Sequence, residues 1–474
     1  MLMLLILFPL ALAALAVALP SFRVRSWLLP VSGVLHFALA VTVVSQAPSL
    51  PTPWLGLDAL SQLVLLVTSL LYLACSIYAV EYLNLHAERG NRLMVACLLV
   101  FLAAMTLAVA ARHLGLLWVA VETTTIASAP LIYYNRNRLS IEATWKYLIL
   151  CSVGIALAMV GILFVAYAAL GNGVPVSLQL DDLLAAGPNL AQPWLHAGFV
   201  FLLVGFGTKM GLAPLHSWKP DAYGEAPGLV GALLAGGLTS VAFLAILRGV
   251  QLMGAAGDLA LARQMLLGMG LLSLLLAAIF IVRQGDIKRL LAYSSVEHMG
   301  LLAVGVGIGG LATFGALLHL VNNAMTKGCL FLCAGNIHRA FASKRLQDVR
   351  GALSVLPVSS AIFLAGFLAI TGSPPFGPFL SEFTMLRGMF ASGQMWVGAT
   401  VLVLLAVIFI GMGATVLAVT QGEAEVEQVH FRDRLPLVAP PLFLLLVVLV
   451  LGLYLPEPLQ RLLRDAAALL EVNA

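Results

Sequence analysis

Polar positions are sparse along this chain and fall at regular intervals. Between them run apolar stretches of near twenty residues, each long enough to cross a bilayer as a helix. Short alternating segments of the barrel kind are not seen. The pattern predicts an all-α polytopic membrane protein of about fourteen spans. They begin near residues 2, 27, 57, 91, 114, 146, 195, 227, 263, 290, 310, 353, 396 and 436. No Lys or Arg precedes the first apolar run, which argues for an uncleaved first span rather than a secretory signal. The polar punctuation also has a sign. Arg23 and Arg25 follow span one, Arg89 and Arg92 follow span three, and Arg136, Arg138 and Lys146 follow span five. "RQGDIKR" follows span nine and "RAFASKRLQDVR" follows span eleven. The loops after even spans, "QAPSLPTPWLGLD", "QLDDLLAAGPN" and "GIGG", are poor in Lys and Arg. The positive-inside rule then puts both termini outside the cytoplasm. After the last span, "LQRLLRDAAALLEV" predicts a short amphipathic helix at the membrane surface.

Two apolar runs are interrupted. "LLVGFGTKMGLAPLHSW" places Gly205, Gly207, Gly211 and Pro214 around Lys209, and "LAITGSPPFGPFLSEF" places Gly372, Pro374, Pro375 and Pro378 before Glu382. Broken helices at corresponding places in two halves of a chain point to inverted repeats of the transporter kind. The two breaks lie about five spans apart, and an odd number of spans inverts the second copy. The division expected is 1–90 for helices one to three, 91–250 for a first half, 251–420 for a second half, and 421–474 for the last helix with its amphipathic tail.

Composition narrows the class without changing it. Of 474 residues, 61% are hydrophobic and only 10% charged, against about 25% charged in soluble domains. A net charge of +4 implies no nucleic-acid surface. The five cysteines, Cys75, Cys97, Cys151, Cys329 and Cys333, all sit in apolar runs without a C-x-x-C pair and read as small core residues. There is no iron–sulfur motif, dinucleotide fingerprint, catalytic centre or metal-ligand pattern, so no cofactor is expected.

The candidate chemistry lies in charges placed where charge is expensive. Glu122, Lys209, Lys327 and Glu382 fall deep in predicted spans. Each costs roughly 2.5–3.5 kcal/mol on insertion scales, so the four together cost on the order of 10 kcal/mol. That is comparable with the whole net stability of a typical protein. Two acids and two bases over four spans read as stations of a proton relay rather than as a packing device. Glu122 is followed by Thr123, Thr124 and Thr125, which either hydrogen-bond a carboxylate or bond back to their own helix. His319, Asn323 and Lys327 recur every fourth residue, a row about 12 Å long on one helix face. A lysine that gains and loses an acid partner takes up and releases a proton, and a broken helix supplies room for water beside it. Lys209 and Glu122 are the expected pair. Ser240 is the expected way from that pair toward the central row, and His298, inside the tenth span with Glu297 beside it, is expected to shape the proton wire. His216, Lys219, Asp221 and Glu225, toward the end of the first broken span, read as a mouth or interface cluster or as a plain charged loop.

The segments "KMGLAPLHSWKPDAYGEAPG", "DIKRLLAYSSVEHMG", "HLVNNAMTKGCLFLCAGN" and "GSPPFGPFLSEF" resemble the proton-translocating antiporter-like subunits of complex I, Mrp antiporters and group 4 membrane hydrogenases. They occur in that family's order and span roughly residues 110–390. "SSVEHMG" and "SPPFGPFLSEF" are most similar to component F of hydrogenase-4. The resemblance implies fourteen helices with two inverted five-helix repeats, and with helices seven and twelve broken. It also implies that Glu122 and Lys209 match the family's glutamate–lysine pair, that His319 and Lys327 match its central histidine and lysine, and that Glu382 matches the charged residue of the second broken helix. The sequence departs from the pattern in places. Complex I members carry a further lysine about 31 residues after the Lys209 position, where Thr239 and Ser240 stand here. Lys219 stands where relatives usually have an apolar residue, and Asn323 at a position that is often histidine or another polar residue. No long lateral helix follows the last span.

The function expected is a proton-conducting subunit, with Na+ as the other candidate ion, of a multisubunit redox complex in a bacterial or archaeal inner membrane. The type implied is a group 4 hydrogenase or formate hydrogenlyase. Its partners would be other membrane subunits and a peripheral hydrogenase or dehydrogenase module. The alternatives are a subunit of a redox-independent cation/proton antiporter and a complex I-type membrane subunit. A haem-binding quinol oxidoreductase would need His298 and His319 paired across one cavity, a pairing that the sequence does not suggest.

Overall fold

The computed structural model describes residues 1–46, 52–173, 177–422 and 431–471. Part of the "QAPSLPTPWLGLD" loop, and parts of the segments 91–250 and 421–474, lie outside them. Twenty α-helices follow in order: α1 Leu2–Ala18, α2 Phe22–Ser45, α3 Ala59–Asn84, α4 Arg92–Ala110, α5 Leu114–Ile132, α6 Arg138–Leu170 and α7 Leu180–Ala185. Then come α8 Gln192–Met210, α9 Trp218–Glu225, α10 Gly228–Ala232, α11 Thr239–Ala255, α12 Leu259–Ile281, α13 Ile287–Ile308 and α14 Leu311–Phe341. The series closes with α15 Ala352–Val355, α16 Pro357–Ile370, α17 Gly377–Ala391, α18 Met395–Thr420, α19 Leu435–Leu453 and α20 Glu457–Ala468. Among the described residues there is no β-strand, only isolated bridges between loop residues.

The fourteen predicted spans map onto α1 to α6, α8 with α9, α10 with α11, α12, α13, α14, α16 with α17, α18 and α19. Ten of these are long and apolar enough to cross a membrane by length and composition alone, and α1 and α16 are shorter apolar helices. Polar side chains start several spans. Asp58 caps α3 by accepting from the Ser61 amide at 2.9 Å, Asn137 and Ser140 form a reciprocal capping box on α6, and Asp286 accepts from the Lys288 and Arg289 amides at α13. The box puts the start of α6 at Arg138, about two turns before the expected residue 146, because the polar run "RLSIEATWK" continues the helix beyond its apolar part.

Burial orders the bundle from its centre outward. The span Gly228–Ala255 is completely buried over its most apolar window and α13 is 89% buried, whereas α6, α12 and α18 are each 39% buried and α2 33%. The outer helices present Ile126, Ile149, Val153, Leu163, Val403 and Ile410 to their surroundings, as lipid contact requires. The central span is not a regular α-helix. A π-helical turn, Leu233–Leu238, joins α10 to α11, and such turns inside helices are frequent at functional sites.

Both breaks are present and follow one plan. α8 ends at Gly211, whose φ of 84° is open to glycine without strain, and α9 resumes the span. α16 ends before Gly372, with φ 68°, and α17 resumes. Each break contains a cis peptide bond, Ala213–Pro214 and Pro374–Pro375. The tail forms α20 as expected, with Leu463 and Ala466 buried. Its end is tied to the bundle: Glu471 accepts from the Gly310 amide at 2.8 Å and the Thr313 hydroxyl at 2.9 Å, and pairs with Arg263.

Candidate ion-translocation site

The first cluster forms where α5, α6 and the end of α8 meet. Lys209 lies in the last turn of α8, beside the unpaired carbonyls and partial negative charge of a helix C-terminus. It is fully buried. Its Nζ donates to Thr125 Oγ1 at 2.7 Å and to the Tyr147 hydroxyl at 2.8 Å, and lies 4.7 Å from the Tyr147 ring centre. Thr125 donates to Glu122 Oε2 at 3.1 Å, and Ser152 donates to Glu122 Oε1 at 2.8 Å. The expected contact between Lys209 and Glu122 is therefore not a direct ion pair. The hydroxyl of Thr125, three residues on from Glu122 along the same helix face, stands between them. Thr123 and Thr124 bond back to Val119 and Val121 of their own helix, so one threonine of the three serves the carboxylate. Tyr147 also shares a 2.6 Å hydrogen bond with Ser128.

The second cluster forms between α13, α14 and α17. His298 Nδ1 and His319 Nε2 are 3.0 Å apart, and His319 Nδ1 is 2.9 Å from Ser381 Oγ. Ser381 donates to the Pro378 carbonyl, so His319 Nδ1–H donates to Ser381, and His319 Nε2 is left to accept from His298. The histidine pairing that the sequence did not suggest is thus present. It is a direct contact with ring centres 5.0 Å apart, which leaves no room for a macrocycle between the rings. Glu297, 2% exposed, lies 3.7 Å from His298 Nε2 and accepts from Ser294 at 3.2 Å. Lys327 is fully buried and donates to the Leu291 carbonyl at 3.4 Å, with Glu297 within electrostatic reach. Glu382 is buried against the second break: a Cβ on Gly372 would stand 2.2 Å from Glu382 Oε2.

The row expected along α14 is assembled differently. His319, Asn323 and Lys327 are all buried on that helix, but the polar contacts of His319 and Lys327 run across to α13 and α17 rather than along the face. Ser240 is buried on α11 and donates to Gly236 of its own helix at 2.6 Å. The mouth cluster divides. Asp221 and Glu225 line a charged crater of about 610 Å³ with Glu142, Lys146, Arg289 and Lys344. Asp221 pairs there with Lys146 at 2.8 Å and with Arg289, and Glu225 pairs with Lys344 at 2.5 Å. Lys219, in the first turn of α9, and His216, in the break before it, are buried instead. Sequence reasoning passed over Tyr147, Ser128, Ser152 and Ser381, and noted Glu297 only as the neighbour of His298, without making it a site residue. Of these only Glu297, an acid next to His298 in a buried span, had a signal of its own.

No metal-ligand pattern was expected from the sequence, yet the fold brings one set of donors together. One ligand atom each from His298, His319 and Glu382 lie within 4.8 Å of one another, all from buried residues. Two histidines and a carboxylate are a donor set that a borderline divalent cation accepts. The same three groups equally well share protons.

Taken together, a polytopic helical bundle is interrupted at two matching places, and each break is held against buried ionisable side chains. Residues 111–409 match the transmembrane family described as NADH:quinone oxidoreductase/Mrp antiporter. The chain belongs to that family. It is 33% identical over 464 residues to the hydrogenase-4 component F homolog of Methylacidiphilum infernorum, covering 95% of this chain and 96% of the relative. It is also 33% identical over 443 residues to NADH-quinone oxidoreductase subunit N of Desulforudis audaxviator, covering 88% and 87%. The Mrp complex of Dietzia contains a chain of the same fold, with a TM-score of 0.86 at 22% identity and coverage of 98% and 96%.

Proposed function

We propose that this chain is a proton-conducting subunit of a multisubunit redox complex of the hydrogenase-4 type in a bacterial or archaeal inner membrane. Electron transfer would take place in a peripheral hydrogenase or dehydrogenase module. The observation that carries this reading is the pair of polar clusters inside the bundle, buried apart from the half-buried Glu122. Glu122, Thr125, Lys209 and Tyr147 join hydroxyls to an acid and a base on one side. Glu297, His298, His319, Lys327, Ser381 and Glu382 do the same on the other. Such groups in a span are costly and are retained for ion pathways. The similarity to a hydrogenase-4 component over nearly the whole chain supports the redox partner. The crater fits a cytoplasmic inlet, because its walls come from loops after odd-numbered spans, and this orientation puts both termini outside.

The test is proton uptake into inverted vesicles driven by the redox partner, with assembly checked on the same samples. Lys209→Met and Lys327→Met should each leave an assembled complex that takes up protons at least tenfold more slowly. Proton uptake by both at the wild-type rate would end the proposal. The antiporter reading rests on the Mrp-like fold. It predicts cation-driven proton movement with no electron donor present, a control in the same vesicles.

A further inference from the structure

Among the described residues no chain of hydrogen bonds joins the two clusters, and Lys219 lies between them with Cys151 and Tyr223. Lys219 is fully buried on α9, the second half of the first broken span. Its Nζ donates to the Met210 carbonyl at 2.7 Å, next in sequence to Lys209, and lies 5.7 Å from the Tyr223 ring centre. The space for it is built. A Cβ on Gly211 would stand 2.6 Å from Lys219 Cδ and 2.8 Å from Nζ, so the side chain fills the place that the glycine leaves open. Among the described residues it has no carboxylate within ion-pairing distance, so the end of α8 is what holds its charge. On one side it shares the neighbourhood of Cys151 with Lys209 and Glu122. On the other it lies within electrostatic reach of Lys327 and His298.

We propose that Lys219 is the proton carrier that joins the two clusters. This rests on the proton-conducting function above and adds the path between its halves. The step is one proton and no electrons. The Lys209 ammonium gives a proton through intervening water to the neutral amine of Lys219 and becomes neutral. The Lys219 ammonium then gives that proton to the neutral amine of Lys327 and is reset. Lys219 and Lys327 lie within electrostatic reach of each other, and two ammonium groups there repel, so charge on Lys219 favours passing the proton on to Lys327. Ser240 is not needed as the link, and its hydroxyl is already bonded to its own helix.

A structural lysine and a carrier lysine respond differently to three substitutions. Lys219→Gln keeps an N–H for the Met210 carbonyl but cannot titrate. Lys219→Arg keeps the charge but does not release a proton near neutral pH. Lys219→Met keeps the length alone. Each is introduced into the whole complex, with Lys209→Met and Lys327→Met as companions, and redox-driven proton uptake is measured beside assembly and redox turnover of the peripheral module. The expected result is assembled complexes in which Gln and Arg lower uptake at least tenfold, as Lys209→Met does. Wild-type uptake by the assembled Gln variant, while the companions fail, would overturn the carrier role and leave the function standing. Wild-type uptake by the companions as well would overturn both. Recovery by Arg alone, or failure of all three variants to assemble, would assign Lys219 to holding the break together and would equally overturn the proposal.

Discussion

At the scale of single residues, the contact with the most at stake is the hydroxyl between Lys209 and Glu122. Thr125→Val keeps the shape and removes the hydroxyl, which leaves a buried ammonium donor without one of its acceptors, at a cost of about 1–3 kcal/mol. Proton uptake by the assembled complex should fall at least tenfold, and Thr125→Ser should restore most of it. Thr124→Val is the matched control, because the Thr124 hydroxyl donates to the Val121 carbonyl of its own helix, and it should leave uptake within twofold of wild type. Equal uptake by the two valine variants would remove Thr125 from the path. This scale was also the least legible in the sequence. The buried acids and bases stood out because charge in an apolar run is rare. Serine, threonine and tyrosine are ordinary there, so nothing in the sequence separates Tyr147 or Ser381, which touch the relay, from Ser360, which bonds to a backbone carbonyl. Lys219 was visible but misplaced, because "WKPDAYGE" reads as a polar loop until α9 folds its first turn inward.

At the scale of elements, the breaks were legible from glycine and proline alone, and the structure places both where the residues put them. What they leave room for was not legible, since that depends on side chains from beyond the break. Gly372 offers a way to separate backbone strain from displacement of the relay. Gly372 and Gly393 have similar positive φ angles, 68° and 77°, so alanine at either meets a comparable backbone penalty of roughly 1–2 kcal/mol. A Cβ at Gly393 meets nothing within 4 Å, whereas at Gly372 it strikes the Glu382 carboxylate. Gly393→Ala should lower thermal stability slightly and leave proton uptake unchanged. Gly372→Ala should lower uptake by much more than its stability loss explains. The same effect on uptake from both would mean that the position of Glu382 does not matter. The π-helical turn at Leu233–Leu238 was missed because "LLAGGL" carries no residue that a regular helix would refuse.

For the whole molecule, each apolar run corresponds to a helix or a broken pair of helices, and ten of these are long and apolar enough to cross a membrane. The joining of distant spans was not readable, because it depends on pairs far apart in the chain. Asp58 is the plainest case. It lies just outside the membrane-spanning part of α3 and caps that helix, and it also accepts from Arg112 Nη1 at 3.0 Å and from Arg248 Nη2 at 3.0 Å, 190 residues away. Burial alone would raise its affinity for protons, but the two guanidinium groups outweigh burial and hold its carboxyl well below the usual carboxylate range. A depressed acid contributes stability that is complete above its unfolded value, near pH 4, and lost as pH falls further. The melting temperature of the purified chain in detergent should hold steady from neutral pH down to about 5 and drop below about 4. Asp58→Asn should melt lower at neutral pH, because Arg248, only 2% exposed, loses its charged partner, at a cost of roughly 3–5 kcal/mol. The variant should also lose part of the acid-induced drop. An unchanged acid profile in the variant would show that other carboxylates govern it.

The hydroxyl bridge at Thr125 bears on what can pass as well as on how fast. An O–H that receives a proton on one side and releases another on the other ends up pointing the wrong way. It must swing back before it can serve again, and a hydroxyl hydrogen is free to rotate in this manner. On the proposed function the contact would work by hop and turn, relaying charge while every heavy atom stays in place. A bare metal cation has nothing to hand over in such an exchange and would need a continuous opening, which a 2.7 Å contact on one side and a 3.1 Å contact on the other do not leave. On the proposed proton-conducting function, discrimination for protons at this point would lie in the mode of transfer, without any need for a cavity of a chosen diameter.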